Sequence, residues 1–216
     1  MLMCLRNMTS IRHRYLGQDF TLKGLIGREL SQMTVGVIGT GRIGTRLISM
    51  LTGFGCRILA YAPHPNAEAK KHAEYVSLET LYRESDLITL HAPANAETTH
   101  MINEDALAQM KNGVILVNTG RGALIDTAAL LHGLDTGKVG GAGLDVIEEE
   151  SDLYYYDRRE ELLHHRDMAL LNSYPNVVVT HHMAFYTRQC VETMVRDSVR
   201  GIVADIQGLK NPWRVC

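Results

Sequence analysis

The sequence predicts a doubly wound α/β domain on a parallel sheet. Three observations predict it: short runs that are largely apolar, helix-like stretches between them, and a glycine-rich turn directly after the first run. The runs are 35–38, 58–61, 87–90, 114–117, 142–146 and 177–180. Runs this short and this largely apolar suit a strand buried on both faces, the condition of a parallel sheet covered by helices.

The segments between the runs supply the crossovers. Residues 43–51 place apolar side chains three and four apart, the spacing of one helix face. Asn103 is followed by Glu104 and Asp105, and Asp126 opens 126–134; both are residues that cap helix starts. Residues 187–206 carry a helical stripe of Val191, Met194, Val195, Val199, Ile202 and Val203, expected to pack on the body of the protein. Two stretches fall outside this pattern: 1–34, before the first strand, and the polar, tyrosine-rich 149–173.

Bulk properties narrow the function classes. The 216 residues are 45% hydrophobic and 21% charged, ordinary for a globular protein. A net charge of −2 gives no reason to expect nucleic acid or an anionic membrane as partner. No run reaches the ~18 apolar residues of a membrane span, and the opening MLMCLRNM lacks the pattern of a signal peptide. Cys4, Cys56, Cys190 and Cys216 are far apart and form no CxxC pair, which argues against a structural metal and suits a cytoplasmic location.

The turn is Gly39-Thr40-Gly41-Arg42-Ile43-Gly44, a GxGxxG between a buried strand and a helix. Gly39 permits the tight turn, Gly41 lets backbone approach a pyrophosphate, and Gly44 lets helix and strand pack closely. The helix start then offers free amides and partial positive charge to phosphates. A Rossmann-type dinucleotide site normally adds an acid about 20 residues on, at the end of the second strand. Here that end reads Tyr61-Ala62-Pro63-His64, and the first acid after it is Glu68. NAD is the expected cofactor, with its ribose held by backbone and Tyr61. NADP stays open, because Ala62 repels no 2′-phosphate and His64 attracts one.

Further blocks stand at the predicted strand ends: Val117-Asn118-Thr119-Gly120-Arg121-Gly122, Gly143-Leu144-Asp145-Val146, and Thr180-His181-His182-Met183-Ala184-Phe185-Tyr186-Thr187. With the glycine turn, these resemble, in order and spacing, the D-2-hydroxyacid dehydrogenase family. The resemblance covers nearly the whole chain and points to D-lactate dehydrogenases and their relatives in vancomycin resistance. It implies reduction of a 2-oxo acid by a nicotinamide cofactor.

The residues also suit that chemistry directly. Arg121 offers a permanently charged planar fork for a carboxylate or the reacting carbonyl. His182 is the expected acid/base, since imidazole titrates near working pH. The resemblance implies Glu150 as its carboxylate partner, with the register within Glu148-Glu149-Glu150 left open. It also implies that Asp145 orients the nicotinamide carboxamide, and that Ala92, Pro93, Thr98, Thr119 and Gly120 line the cofactor. Tyr186 either faces substrate or fills core. His181 stands where the family usually has proline.

The family carries a second, substrate-binding domain, on the order of 100 residues, mostly ahead of the cofactor domain. The resemblance therefore implies a chain largely without that domain. Its expected parts are an interdomain crossing remnant at 1–30, a dinucleotide-binding domain at 31–186, and a C-terminal helix at 187–216 that returns towards the absent partner. Half a cleft is expected to bind cofactor with little or no turnover. A homodimer through the cofactor domain is the expected assembly. The competing expectation is a non-catalytic dinucleotide-binding or dimerisation module.

Overall fold

A computed structural model describes residues 1–161 and 164–214. They form two compact units, residues 1–181 and a second unit beginning at His182. Cys216 lies outside the described residues; Cys4, Cys56 and Cys190 are free thiols. Among the described residues no helix is long and apolar enough to cross a membrane.

The first unit is a seven-stranded, wholly parallel sheet. In chain order its strands are β1 (Thr34–Ile38), β2 (Arg57–Tyr61), β3 (Glu74–Tyr75), β4 (Leu87–Leu90), β5 (Val114–Asn118), β6 (Val139–Leu144) and β7 (Val177–Val179). They lie in the order β3-β2-β1-β4-β5-β6-β7. The chain winds outward from β1 to β3, then crosses to β4 and winds the other way. That reversal leaves a crevice at the carboxyl ends of β1 and β4, where open α/β sheets bind ligands.

Successive side chains of a strand point to opposite faces, so a strand buried on both sides feeds two cores. Val35 and Val37 of β1, Ile58 and Ala60 of β2, and Ile115 and Val117 of β5 enter one core. Ile38, Leu59, Val114 and Leu116 enter the other. The first core is closed by helix α3 (Arg42–Leu51) through Ile48 and Leu51. Leu5, Leu30 and Met33 also enter it, so the segment before β1 covers part of one face. It holds helices α1 (Leu2–Leu5) and α2 (Met8–Leu16), and Thr9 Oγ1 of α2 donates to the Val177 carbonyl at 3.0 Å. The second core packs under α4 (Leu78–Glu84), α5 (Glu104–Gln109), α6 (Thr127–Asp135) and α7 (Arg166–Ser173).

Local chemistry sets the helix starts. Asn103 caps α5 by accepting from the Ala106 amide, and Asp126 caps α6 by accepting from Ala128 and Ala129. In the second unit, Thr187 caps α8 (Arg188–Ile206) by accepting from the Cys190 amide. Of the stripe on α8, Met194, Val195, Val199 and Ile202 are exposed, while Gly201 and Ala204 of the same helix are buried.

Candidate dinucleotide site

Three loops converge on the crevice. The turn after β1 comes first. Gly39 takes φ 92°, and a Cβ there would lie 2.6 Å from the His91 carbonyl. A Cβ on Gly44 would lie 2.0 Å from the Gly39 carbonyl oxygen, so helix and turn touch backbone to backbone. Gly41 faces open space instead. It is also the N-cap of α3 and brings no capping side chain, so the first amides of that helix have no side-chain acceptor. A dinucleotide pyrophosphate fits these features: bare amides, room at Gly41, and the positive end of a helix dipole.

The second loop follows β2. The Gly39 amide donates to the Tyr61 carbonyl at 2.8 Å, which places Ala62 beside the glycine turn. The loop is pinned by Tyr75 on β3. Its hydroxyl donates to Thr40 Oγ1 at 2.7 Å and accepts from the Asn66 amide at 2.9 Å.

The third loop follows β4. The His91 amide donates to Ile38 at 2.7 Å, and the His91 ring pairs with Thr89 Oγ1 at 3.0 Å. Burial pulls the His91 imidazole down to about 4, so it is neutral at pH 7. Thr98 donates to the Pro93 carbonyl at 2.6 Å and closes this loop on itself.

Between the three loops lies a cavity of about 550 Å³, within the range of small-molecule sites. Of the residues expected to bind cofactor, Gly39, Gly41, Tyr61, Ala62, Ala92, Pro93 and Thr98 line it. Arg42 and Ile43 are exposed on the first turn of α3, and Gly44 is buried behind it. Thr119, Gly120, Arg121 and Asp145 are not in the cavity wall but stand at the ends of β5 and β6, along the same edge of the sheet. A Cβ on Gly120 would lie 3.4 Å from the Ala92 carbonyl oxygen, so the two sets of loops touch. A second cavity, about 310 Å³, lies between α5 and α6, lined by Glu104, His132 and Lys138 among others.

Buried Asn118 shapes the turn that carries Arg121. Its side chain accepts from the Gly120 amide at 3.0 Å and donates to the Arg121 carbonyl at 2.8 Å. The Arg121 guanidinium is exposed, donates to the Gly120 carbonyl at 2.7 Å, and forms no ion pair among the described residues. A Cβ on Gly122 would lie 2.1 Å from the Ile147 carbonyl oxygen, which sets this turn directly against the loop after β6.

That next loop carries Asp145 and the acidic run. Asp145 is buried and accepts from Thr180 Oγ1 at 2.5 Å. Glu148 accepts from the Thr127 amide and hydroxyl at 2.9 and 2.6 Å and pairs with His100 at 2.6 Å. Burial pushes the Glu148 carboxyl up, but these bonds outweigh it and hold the group below the usual carboxylate range. Exposed Glu149 turns through φ 55°. Glu150 accepts from the Ile147 amide at 2.9 Å. Burial, reinforced by Glu150 and Asp145, drives the Tyr154 phenol well above its ordinary value. The Tyr154 hydroxyl is buried without a hydrogen-bond partner among the described residues, and its ring lies 6.3 Å from that of His181.

His182 begins the second unit with a left-handed backbone, φ 52°, and meets the Phe185 ring edge-on at 6.5 Å. Tyr186 is exposed, so it does not fill core. Sequence reasoning passed over His91, Asn118 and Tyr75, whose roles appear only when strands β3, β4 and β5 are laid beside β1 and β2.

Residues 1–184 match the family described as D-isomer specific 2-hydroxyacid dehydrogenase, NAD binding domain. Over 200 residues the chain is 44% identical to a D-specific alpha-keto acid dehydrogenase of Enterococcus faecalis, covering 93% of this chain and 61% of that protein. A solved D-lactate dehydrogenase from Treponema pallidum superposes with a TM-score of 0.92 at 37% identity, covering 98% of this chain and 64% of that one. The D-lactate dehydrogenase of Lactobacillus jensenii, solved with NAD+, gives a TM-score of 0.90 at 32% identity, covering all of this chain and 65% of that one. The chain thus spans about 60% of the length of the curated relatives it matches. It belongs to the NAD-binding domain family of the D-isomer specific 2-hydroxyacid dehydrogenases.

Proposed function

We propose that this chain holds NAD for hydride transfer between the nicotinamide and a small 2-oxo or D-2-hydroxy acid. NADP is the alternative cofactor that Ala62 allows. One observation carries the reading: an exposed Arg121 guanidinium without an ion pair among the described residues, on a turn packed against the loop of Asp145 and Glu150. An arginine that served only the surface would be expected to take one of the nearby carboxylates.

The bound cofactor supplies the hydride. Arg121 grips the substrate carboxylate or carbonyl with its fixed fork. Asp145, held by Thr180, orients the carboxamide of the ring. His182 gives a proton to the carbonyl oxygen and takes it back in the reverse direction. Glu150 is the proposed carboxylate partner of that histidine, an assignment supported by Glu148 having both oxygens engaged by Thr127 and His100. The domain assignment at 31–186, flanked by 1–30 and 187–216, the homodimer and the cytoplasmic location belong to the same proposal. So does very weak or absent turnover by these residues alone.

The test is a single-turnover experiment. The chain at high concentration, loaded with NADH, is incubated with excess 2-oxo acids such as pyruvate, and products are resolved by chiral chromatography. A D-configured hydroxy acid above the enzyme-free control, lost in Arg121→Gln, supports the dehydrogenase. NADH binding with product that is racemic, or that persists unchanged in Arg121→Gln, would contradict it.

A further inference from the structure

We propose that the adenosine end of the cavity accepts a 2′-phosphorylated ribose, with His64 as the side chain that faces the phosphate, so that the chain binds NADPH no more weakly than NADH. This rests on the proposed dinucleotide reading of the same cavity and concerns the residues that choose between its two forms.

Position comes first. Ala62 is the residue after β2 and lines the cavity. The bond from the Gly39 amide to the Tyr61 carbonyl, 2.8 Å, fixes it beside the glycine turn. This is where a ribose-binding carboxylate stands in NAD-selective sites. Such a carboxylate accepts from the ribose hydroxyls and repels a 2′-phosphate; a methyl group does neither.

Charge comes second. The next acid along the chain, Glu68, lies outside the cavity wall and pairs with Lys71 at 2.7 Å. Glu97 does line the cavity, but on the loop after β4, across β1 from the end of β2. His64 lines the β2 side, exposed, with neither hydrogen-bond nor ion-pair partner among the described residues. The Lys70 ammonium stands 5.9 Å from the centroid of the Tyr75 ring, whose hydroxyl pins this loop.

Rigidity comes third. Pro63 and Pro65 flank His64, and a residue before proline is confined to extended backbone, so both Ala62 and His64 are restricted. Asn66 closes the loop: its amide donates to Tyr75 Oη, and its side chain accepts from the Glu68 and Ala69 amides at 2.9 and 3.3 Å. Little backbone freedom remains to be lost when an anion meets the imidazole.

The experiment titrates the chain with NADH and with NADPH, followed by nicotinamide fluorescence, and sets 2′,5′-ADP against 5′-ADP as competitors. The expected result is an NADPH dissociation constant equal to or below that for NADH, with 2′,5′-ADP the better competitor. Ala62→Asp is expected to move the preference towards NADH on the order of 100-fold. His64→Ala is expected to weaken NADPH several-fold more than NADH. Binding of NADH tenfold or more tighter than NADPH by the unsubstituted chain overturns this inference alone. Equal weakening of both by His64→Ala also overturns it. Binding of neither removes the dinucleotide reading itself.

Discussion

The Tyr75 hydroxyl sits 2.7 Å from Thr40 Oγ1 and joins the edge strand β3 to the glycine turn. The same oxygen receives the Asn66 amide, so one phenol ties together two of the three loops around the cavity. Tyr75→Phe keeps the ring and removes the tie, leaving the Asn66 amide and the buried Thr40 hydroxyl without that partner. The expected loss is about 1 to 2 kcal/mol of stability and a several-fold weaker NADH affinity. Urea unfolding and a fluorescence titration on the same preparation check both.

The glycines of the turn separate stability from binding. In Gly44→Ala the new methyl would meet the Gly39 carbonyl oxygen, which cannot move without disturbing β1. A loss of about 2 kcal/mol or more is expected in denaturant unfolding. Gly41→Ala adds its methyl in open space, where a phosphate is expected. Stability there should change by less than about 0.5 kcal/mol, while NADH affinity falls at least about tenfold. Equal stability losses for the two variants would contradict this division.

Acid should destabilise the first unit through His91. Its folded pKa of about 4 lies below the ordinary 6.5. Between those values the unfolded chain holds a proton that the folded chain does not, so stability falls as pH falls through that window. The largest contribution is about 3 kcal/mol, from about 1.4 kcal/mol per pH unit. Urea unfolding at pH 7 and pH 4.5 should show a smaller acid loss for His91→Gln than for the unsubstituted chain.

His100 should titrate in the opposite sense. Its bond to Glu148 raises the imidazole above the usual value. The pair therefore contributes fully below the ordinary imidazole value and fades as pH rises through the raised one. In Glu148→Gln the His100 midpoint, read from ring proton shifts by NMR, should fall towards that of a free imidazole. An unchanged midpoint would mean that the pair does not form in solution.

Much of this architecture is written in local chemistry. The apolar runs of β1, β2, β4 and β5 lie within a residue of their observed bounds, because a strand buried on both faces is apolar along most of its length. Asn103 and Asp126 act as the caps their types suggest. Helix α7 stayed hidden inside a polar stretch because its cap is His165, whose ring accepts from the Met168 amide, a bond with no sequence signature. Strand β3 is two residues long and carries no periodicity. The start of β6 was masked by Gly140 and Gly141, where a Cβ would lie 2.6 Å from the Gly113 carbonyl oxygen and 2.9 Å from that of Asn176. The site divides in the same way. The glycine turn is legible because its spacing is its function, whereas His91, Asn118 and Tyr75 act across strands far apart in the chain.

A dinucleotide is expected to occupy the crevice between the ends of β1 and β4. Backbone amide shifts recorded by NMR during an NADH titration test it directly. The predicted result is saturable change concentrated in Gly39–Gly44, Tyr61–His64 and His91–Thr98. Changes centred on the α5–α6 groove around Glu104, His132 and Lys138, or no saturable change anywhere, would contradict it.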